Sequence, residues 1–236
     1  RKFLWAFLDP TRNYDMPLTP DRILRWHKVL SPSSPETKEG WRSGLFPKNG
    51  NYKVPPAASV NQEMEKLIDW FNAGRHDPAM DGLLRSAIAH LWFMAIRPFE
   101  HGNSIVAQAL TKLGMAQDNE SPKMIYSLTN QMVCEENEYD KALIRTVNGN
   151  GNLDDWLDWF LKNIESATQR AVNLIRPILT QSSFWKNHGQ KDFNKRQKKA
   201  ISYMLQFEPT NENDVLTNWK YRDLTGASRP TAVRDL

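Results

Sequence analysis

The sequence predicts a mainly α-helical protein. Apolar residues recur three and four apart over most of its 236 residues. Helix start signals stand just ahead of those runs. Strand-like alternation is scarce, and neither an internal repeat nor a low-complexity tract interrupts the pattern.

The first element is LTPDRILRWHKVL, with Thr19 as N-cap, Pro20 at the first helical position and Asp21 in the first turn. Ile23, Trp26, His27 and Leu30 then share one face. Residues 31–58 are the one long irregular stretch, rich in Pro, Ser, Gly and Asn. Within it, NGNYKVPPA reads as a short extended segment or hairpin arm, and its two prolines argue against a central strand. Long loops of this kind in compact domains are often functional. SVNQEMEKLIDWFN opens with a capping box, Ser59 and Gln62, and carries the stripe Met64, Leu67, Ile68 and Phe71. MDGLLRSAIAHLWFMAI is apolar nearly all round, as a central buried helix is. Pro98 ends it, and the next helix runs from about Asn103 to Met115. DDWLDWFLKNIESATQRAVNLIRPIL is a long amphipathic helix that Pro177 should kink or end. Beyond residue 183 the chain turns basic. DFNKRQKKAISYML is a helix, and TNWKYRDLTG, a turn at Gly226 and an N-capped helix from Ser228 follow with helix-turn-helix spacing. Two domains are therefore expected, 1–183 and 184–236.

Composition sets the outer limits. Hydrophobic content of 40% and charged content of 25% are ordinary for a globular protein. No apolar run has membrane-spanning length, and no signal peptide is visible. The chain opens on Arg1 rather than Met, as a fragment of a longer protein would. Cys134 is the single cysteine, which excludes an internal disulfide and a cysteine-rich zinc site. Its neighbours Glu135 and Glu136 would raise a thiol pKa, so it reads as structural rather than nucleophilic. A cytoplasmic location is expected. The net charge is +4, and residues 184–236 hold all of that excess, ten Lys and Arg against six Asp and Glu. The basic character thus belongs to the C-terminal module.

Between the central helix and its successor lies IRPFEHGNSIVAQAL. A Gly-Asn turn opening a helix offers free backbone N–H groups and the helix dipole to an anion. Gly102, Asn103 and Ser104 are therefore candidate nucleotide- or anion-binding residues. Nucleotide chemistry needs more: cations for the outer phosphates, a hard oxygen ligand for magnesium, and a group to take the acceptor's proton. A plain helical corner is the competing reading.

This loop resembles the signature of Fic-domain proteins, H-P-F-x-D-G-N-G-R-x-x-R after an apolar helix. The stretches PLTPDRILRWHKVL, KVPPAASVNQEMEKLIDWFN, LLRSAIAHLWFMAIRPF, LDDWLDWFL and LTGASRPTAVRDL also resemble a bacterial Fic subfamily with a C-terminal winged helix. The resemblance implies a Fic-domain helical bundle with a short β-hairpin flap over 1–183. A winged-helix-like domain over 184–236, expected to be incomplete, follows. It also implies an activity, transfer of AMP from ATP with Mg²⁺ to a protein hydroxyl, and a flap, loop 45–58, that pairs with an extended segment of the target protein.

The departures from that signature bear on function. Arg97 stands at the position of the catalytic histidine, and a guanidinium cannot act as a base. His101 stands at the magnesium-binding acidic position and is a poor ligand for that cation. Ser104 replaces the second glycine, and Ile105 and Gln108 replace the two phosphate-binding arginines. Pro98, Phe99, Gly102 and Asn103 match. Glu100 toward a cation and His101 as a displaced base are the available substitutes, and the strict geometry of a positioned base weighs against both. Arg97 is left as an anion ligand in the cleft or a structural ion-pair partner. The inhibitory pattern [S/T]-x-x-x-E-[G/N] is not met at Glu39-Gly40, where Pro35 occupies the hydroxyl position. The resemblance places such a helix upstream of Arg1.

The remaining candidates read as structure. His90 and His27 are expected to be hydrogen-bonded core histidines, and His76 and His188 to lie in polar loops. Trp70, Phe71, Trp92, Phe93, Trp156, Trp159 and Phe160 recur at helical spacing, as core residues do. In the C-terminal module, Ser228, Arg229, Thr231 and Arg234 would face phosphates and base edges if it binds DNA. Asp223 and Asp235 dilute that charge.

The expectation is thus a Fic protein with a degenerate motif, catalytically impaired and acting by binding. The alternatives are a divergent Fic enzyme with an altered nucleotide donor or relocated catalytic residues, and a DNA-binding regulator working through the C-terminal module. No metal or cofactor is expected unless activity remains, in which case ATP with Mg²⁺ is implied. The expected partners are a protein target at the flap, DNA at the C-terminal domain and a second copy of the chain, and no membrane.

Overall fold

A computed structural model describes residues 8–31, 40–44, 53–123, 136–206 and 215–236. Residues 8–12 are helical, and the described helices that follow are α1 (Pro20–Leu30), α2 (Val60–Gly74), α3 (Gly82–Ile96), α4 (Asn103–Asp118), α5 (Glu136–Asn148), α6 (Asp154–His188), α7 (Lys195–Met204), α8 (Asn218–Thr225) and α9 (Arg229–Asp235). No strand occurs among the described residues. The mainly helical expectation therefore holds, while the strands of a flap and of a wing are not found. Residues 45–52 of the expected flap, and Cys134, lie outside the described residues. The chain divides into two compact units, Arg1–Ala167 and Thr168–Leu236, with the division falling inside α6. No helix among the described residues is long and apolar enough to cross a membrane.

The first unit is built around α3. Asp81 caps its start by accepting from the Leu84 N–H at 2.9 Å. The helix has little amphipathic character because it is covered on nearly every side, from Ala87 and Ala89 to Phe93 and Met94. Its closest neighbour is α4. The two approach at Gly114, where a Cβ would overlap the Ser86 hydroxyl, so only glycine permits that spacing. α1 adds Ile23, Trp26, His27 and Leu30, and α2 adds Met64, Leu67, Ile68 and Phe71, all buried as the stripes predicted. Trp156 and Phe160 of α6 are also fully buried, and the Trp156 indole donates to the Ala87 carbonyl at 2.8 Å.

Two local expectations are corrected. Ser59 and Gln62 form no capping box. Pro55 and Pro56 launch a 3₁₀ turn, Ala57–Ser59, so Ser59 already has helical backbone angles and its hydroxyl donates back to Pro56 at 2.9 Å. Pro177 does not end its helix, which continues to His188. The proline removes one N–H donor, and the turns on either side carry the helix past it. His188 consequently sits on a helix, with its ring 4.8 Å from that of Phe184, not in a polar loop.

The second unit centres on Ala200, Tyr221 and Ala232. Asp235 ties its helices together. It accepts from Arg196 Nε at 2.7 Å, from the Tyr221 hydroxyl at 2.9 Å and from Asn194 Nδ2 at 3.1 Å. The Arg196 hydrogen bond is the largest influence holding its carboxyl below the usual range. This carboxylate, which in sequence reads as diluting a basic face, is a packing hub. Gly226 ends α8 in the left-handed conformation, and Ser228 caps α9, as predicted.

His90 is fully buried on α3. The Thr111 hydroxyl donates to the Ala107 carbonyl at 3.0 Å, so it accepts from His90 Nδ1 at 2.9 Å. Nε2 is then the acceptor of the Tyr139 hydroxyl at 3.1 Å. The neutral ring is satisfied at both nitrogens, and burial pushes its pKa down from 6.5 to about 3. The unfolded chain binds the extra proton across that window, so stability is full above it and falls with pH inside it. Each pH unit removes about 1.4 kcal/mol from this source. Urea midpoints of the wild type and His90→Gln across the window test this. The wild type should lose stability more steeply by about one proton, and equal slopes would refute the assignment.

Candidate functional site

The loop from Arg97 to Asn103 joins the two most tightly packed helices, and its shape is fixed from several sides. Arg97 closes α3 in the left-handed conformation (φ 46°, ψ 66°), with its N–H on the Phe93 carbonyl at 2.9 Å. Proline at 98 keeps its predecessor out of the helical region, which is why the helix stops here. Phe99 turns inward and is 2% exposed. Its ring lies parallel on His27, centroids 3.7 Å apart, with Trp41 at 5.4 Å and Phe93 at 6.3 Å. His27 Nε2 meets the His101 carbonyl at 3.0 Å. A carbonyl only accepts, so Nε2 carries the proton. Burial lowers the pKa of His27, keeping the stacked ring neutral.

Asn103 braces the loop from the other end. Its Oδ1 accepts from the Phe99 N–H at 3.0 Å and its Nδ2 donates to the Phe99 carbonyl at 2.7 Å. The side chain proposed from sequence as a phosphate donor thus holds the loop's own backbone. Gly102 has φ 74°, and a Cβ there would collide with Ser31 at the end of α1. Two independent reasons therefore require glycine.

The other candidates face outward. Glu100, His101 and Ser104 are exposed, and Arg97, Ile105 and Gln108 are half-buried. The first turn of α4 begins at Asn103 and Ser104 on the same loop, so Gly102, Asn103 and Ser104 are contiguous at a helix N-terminus. No cation stands at Ile105 or Gln108. For magnesium, Glu100 is the carboxylate next to His101 in the loop, and a single carboxylate beside an imidazole does not fit a cation that demands near-octahedral oxygen ligands. Among the described residues no group of three or more His, Cys, Asp or Glu could hold a metal ion. Ser228, Arg229, Thr231 and Arg234 belong to the second unit. There Ser228 caps α9 and pairs with the Thr231 hydroxyl at 2.9 Å, and Arg229 and Arg234 are exposed.

Arg42 is the residue the sequence did not reveal. It is 5% exposed, and the hydrogen bonds its guanidinium makes among the described residues all go to backbone carbonyls. Nε donates to Arg97 at 2.8 Å, and Nη2 to Pro55 at 2.6 Å and Ile96 at 3.4 Å; Nη1 reaches Gly44 at 3.4 Å. Its own N–H donates to Pro98 at 2.8 Å. One guanidinium thus satisfies the end of α3 and joins it to both flanks of segment 45–52. A lone arginine in Gly-Trp-Arg-Ser-Gly, inside the irregular stretch, carries no periodic signal that would single it out. Ser31 and His27, the supports beneath Gly102 and Phe99, were legible only as a loop residue and a core histidine.

The model of the Fic/DOC family matches residues 17–114, the span from just before α1 to near the end of α4. The fold is similar to that of a Fic domain containing signaling protein from Bacteroides thetaiotaomicron VPI-5482. Identity is 17%, coverage 73% of this chain and 67% of that one, and the TM-score 0.57. A Fic family protein from Desulfovibrio desulfuricans G20 is similar over 99% of this chain and 65% of its own, at 17% identity and TM-score 0.55. The chain spans about two thirds of the length of either protein. No curated protein matches it significantly by sequence. The chain contains a Fic domain.

The clamp has a measurable consequence. Arg42→Met leaves several buried carbonyls without a donor and should destabilise the protein by about 3 kcal/mol. Arg42→Lys keeps the charge but not the fork, and should cost about 2 kcal/mol. Urea unfolding measures both. A change below about 0.5 kcal/mol for Arg42→Met would show that the clamp is dispensable.

Proposed function

We propose that this Fic domain has lost AMP transfer and works by binding. The observation that carries the reading is the guanidinium at 97, where the family signature has its histidine. A guanidinium stays protonated in proteins and cannot take the proton of an attacking hydroxyl. The surrounding pattern supports it. The residues that match the signature, Pro98, Phe99, Gly102 and Asn103, are those that hold the loop's shape. Those that would do chemistry, at 97, 101, 105 and 108, have changed together.

In this reading the loop and the segment it is clamped to are a recognition surface for a protein target. The exposed Arg229 and Arg234 of α9 are the residues through which the second unit would meet nucleic acid.

Incubation with labelled ATP and Mg²⁺, read by label on the protein and on added lysate proteins, is the direct test. No ATP-dependent transfer is expected, and calorimetry should find no ATP affinity tighter than roughly 100 μM. Arg97→His alone should not restore transfer, because Ile105 and Gln108 still supply no cation to the phosphates. Transfer by the wild type would overturn the reading in favour of a divergent enzyme using Glu100 or His101.

A further inference from the structure

We propose that two copies of this chain pair antiparallel through α6, along a stripe on the side of that helix away from its core-facing line.

The spacing of α6 provides two lines. Trp156, Phe160, Asn163 and Ala167, four, three and four apart, are buried and form the core-facing one. The other starts at Asp154 and steps through positions 158, 161, 165, 168, 172, 175, 179, 182 and 186, alternating four and three residues without a break. Successive helical residues are about 100° apart, so the second line runs roughly 130° round from the first. None of its residues is buried. Its middle is nonetheless largely apolar. Leu161 and Leu179 are 38% and 63% exposed, and Val172 and Ile175 between them are half-buried. Unbroken alternation of three and four is the seam of a two-stranded helical pair. Pro177, two residues past Ile175, falls on the far side of the helix from that seam, so its missing N–H does not interrupt it.

The symmetry of the stripe identifies what covers it. Its positions stand at equal distances on either side of residue 170: 154 with 186, 158 with 182, 161 with 179, 165 with 175 and 168 with 172. A two-fold axis at that point sets each residue on its counterpart in an antiparallel copy, as an isologous interface requires. The chemistry matches. Leu161 meets Leu179, Thr168 meets Val172, Asp154 meets Lys186, and Glu165 lies against Ile175 and the adjoining Arg176. All the carboxylates of α6 lie between Asp154 and Glu165, and beyond Glu165 its charges are Arg170, Arg176 and Lys186. Parallel pairing would set like charges side by side. Antiparallel pairing places the acidic start of each helix on the basic end of the other, over about 48 Å. The apolar layers supply affinity and the end charges fix direction.

Sedimentation of the full chain over a concentration series tests the pairing. A dimer is expected, and Leu161→Glu or Leu179→Glu should weaken it at least about tenfold. Leu174→Glu, at an exposed position in line with the core-facing residues, should leave it unchanged. Cross-linking in a Cys134→Ser background reads the register. A mixture of Leu161→Cys and Leu179→Cys chains should give a disulfide-linked dimer on oxidation, and neither variant alone should. In the paired register each cysteine lies about 27 Å from the same position in the other copy, beyond disulfide reach. A monomer at every concentration up to about 200 μM would overturn the proposal and leave the stripe to a different partner. So would a dimer unaffected by both glutamates, or a mixture that gives no cross-link. The readout involves no nucleotide, so it stands or falls separately from the proposed loss of AMP transfer.

Discussion

A helix that is buried all round must still end, and its last carbonyl oxygens have no partner within the helix. In this protein the constraint falls on α3. The Ile96 carbonyl is buried and that of Arg97 partly so, and the chain must also turn sharply there to start α4. Arg42 resolves both problems with one side chain. A guanidinium places several donors in a rigid plane, and a positive charge is favoured at the negative end of a helix dipole. Because the same group reaches Gly44 and Pro55, the end of the core helix and the flanks of segment 45–52 become one assembly. Lysine could supply the charge but not the simultaneous directions.

The motif loop separates shape from chemistry. Phe99, Gly102 and Asn103 act inward, on His27, on Ser31 and on the loop's own backbone. The positions that would touch a nucleotide are exposed or half-buried. Inward residues are constrained by packing and by buried hydrogen bonds whose loss leaves polar groups unpaired. Outward residues answer only to whatever the site does. The likeness to the Bacteroides and Desulfovibrio proteins at 17% identity is one of overall fold.

Much of the architecture was legible in the sequence because it rests on periodicity. The buried faces of α1 and α2, the all-round burial of α3, the Thr19 and Ser228 caps and the Gly226 turn all follow from spacing and turn chemistry. What failed was local competition. Ser59 has the right partner spacing for a capping box, but the prolines before it start a 3₁₀ turn that draws its hydroxyl backward. Of the two outcomes expected at Pro177, a kink or an end, the end does not occur, because the helix is long enough on either side to continue past the missing N–H. Arg42 was invisible for a different reason. Its partners are backbone carbonyls more than fifty residues away in sequence and within its own loop, and backbone carbonyls leave no trace in composition. Asp235 shows the same limit. Its charge was read as a feature of a basic face, whereas its neighbours make it a contact that joins helices.

The two units are consequently held by different physics. In the first, the motif loop rests on a neutral histidine stacked on a phenylalanine and on amide-to-backbone bonds, and His90 is another neutral ring satisfied at both nitrogens. Burial lowers the pKa of both histidines, so the proton is excluded by the packing that needs them neutral. Salt has little to screen in such contacts. The second unit gathers three helices around a carboxylate and a partly exposed arginine, an arrangement that ionic strength does reach. A binding role fits that division. The loop is held by stacking, amide-to-backbone bonds and a buried guanidinium on backbone carbonyls, while the smaller basic unit, with its exposed arginines on α9, responds to the ionic surroundings in which an anionic partner would be met.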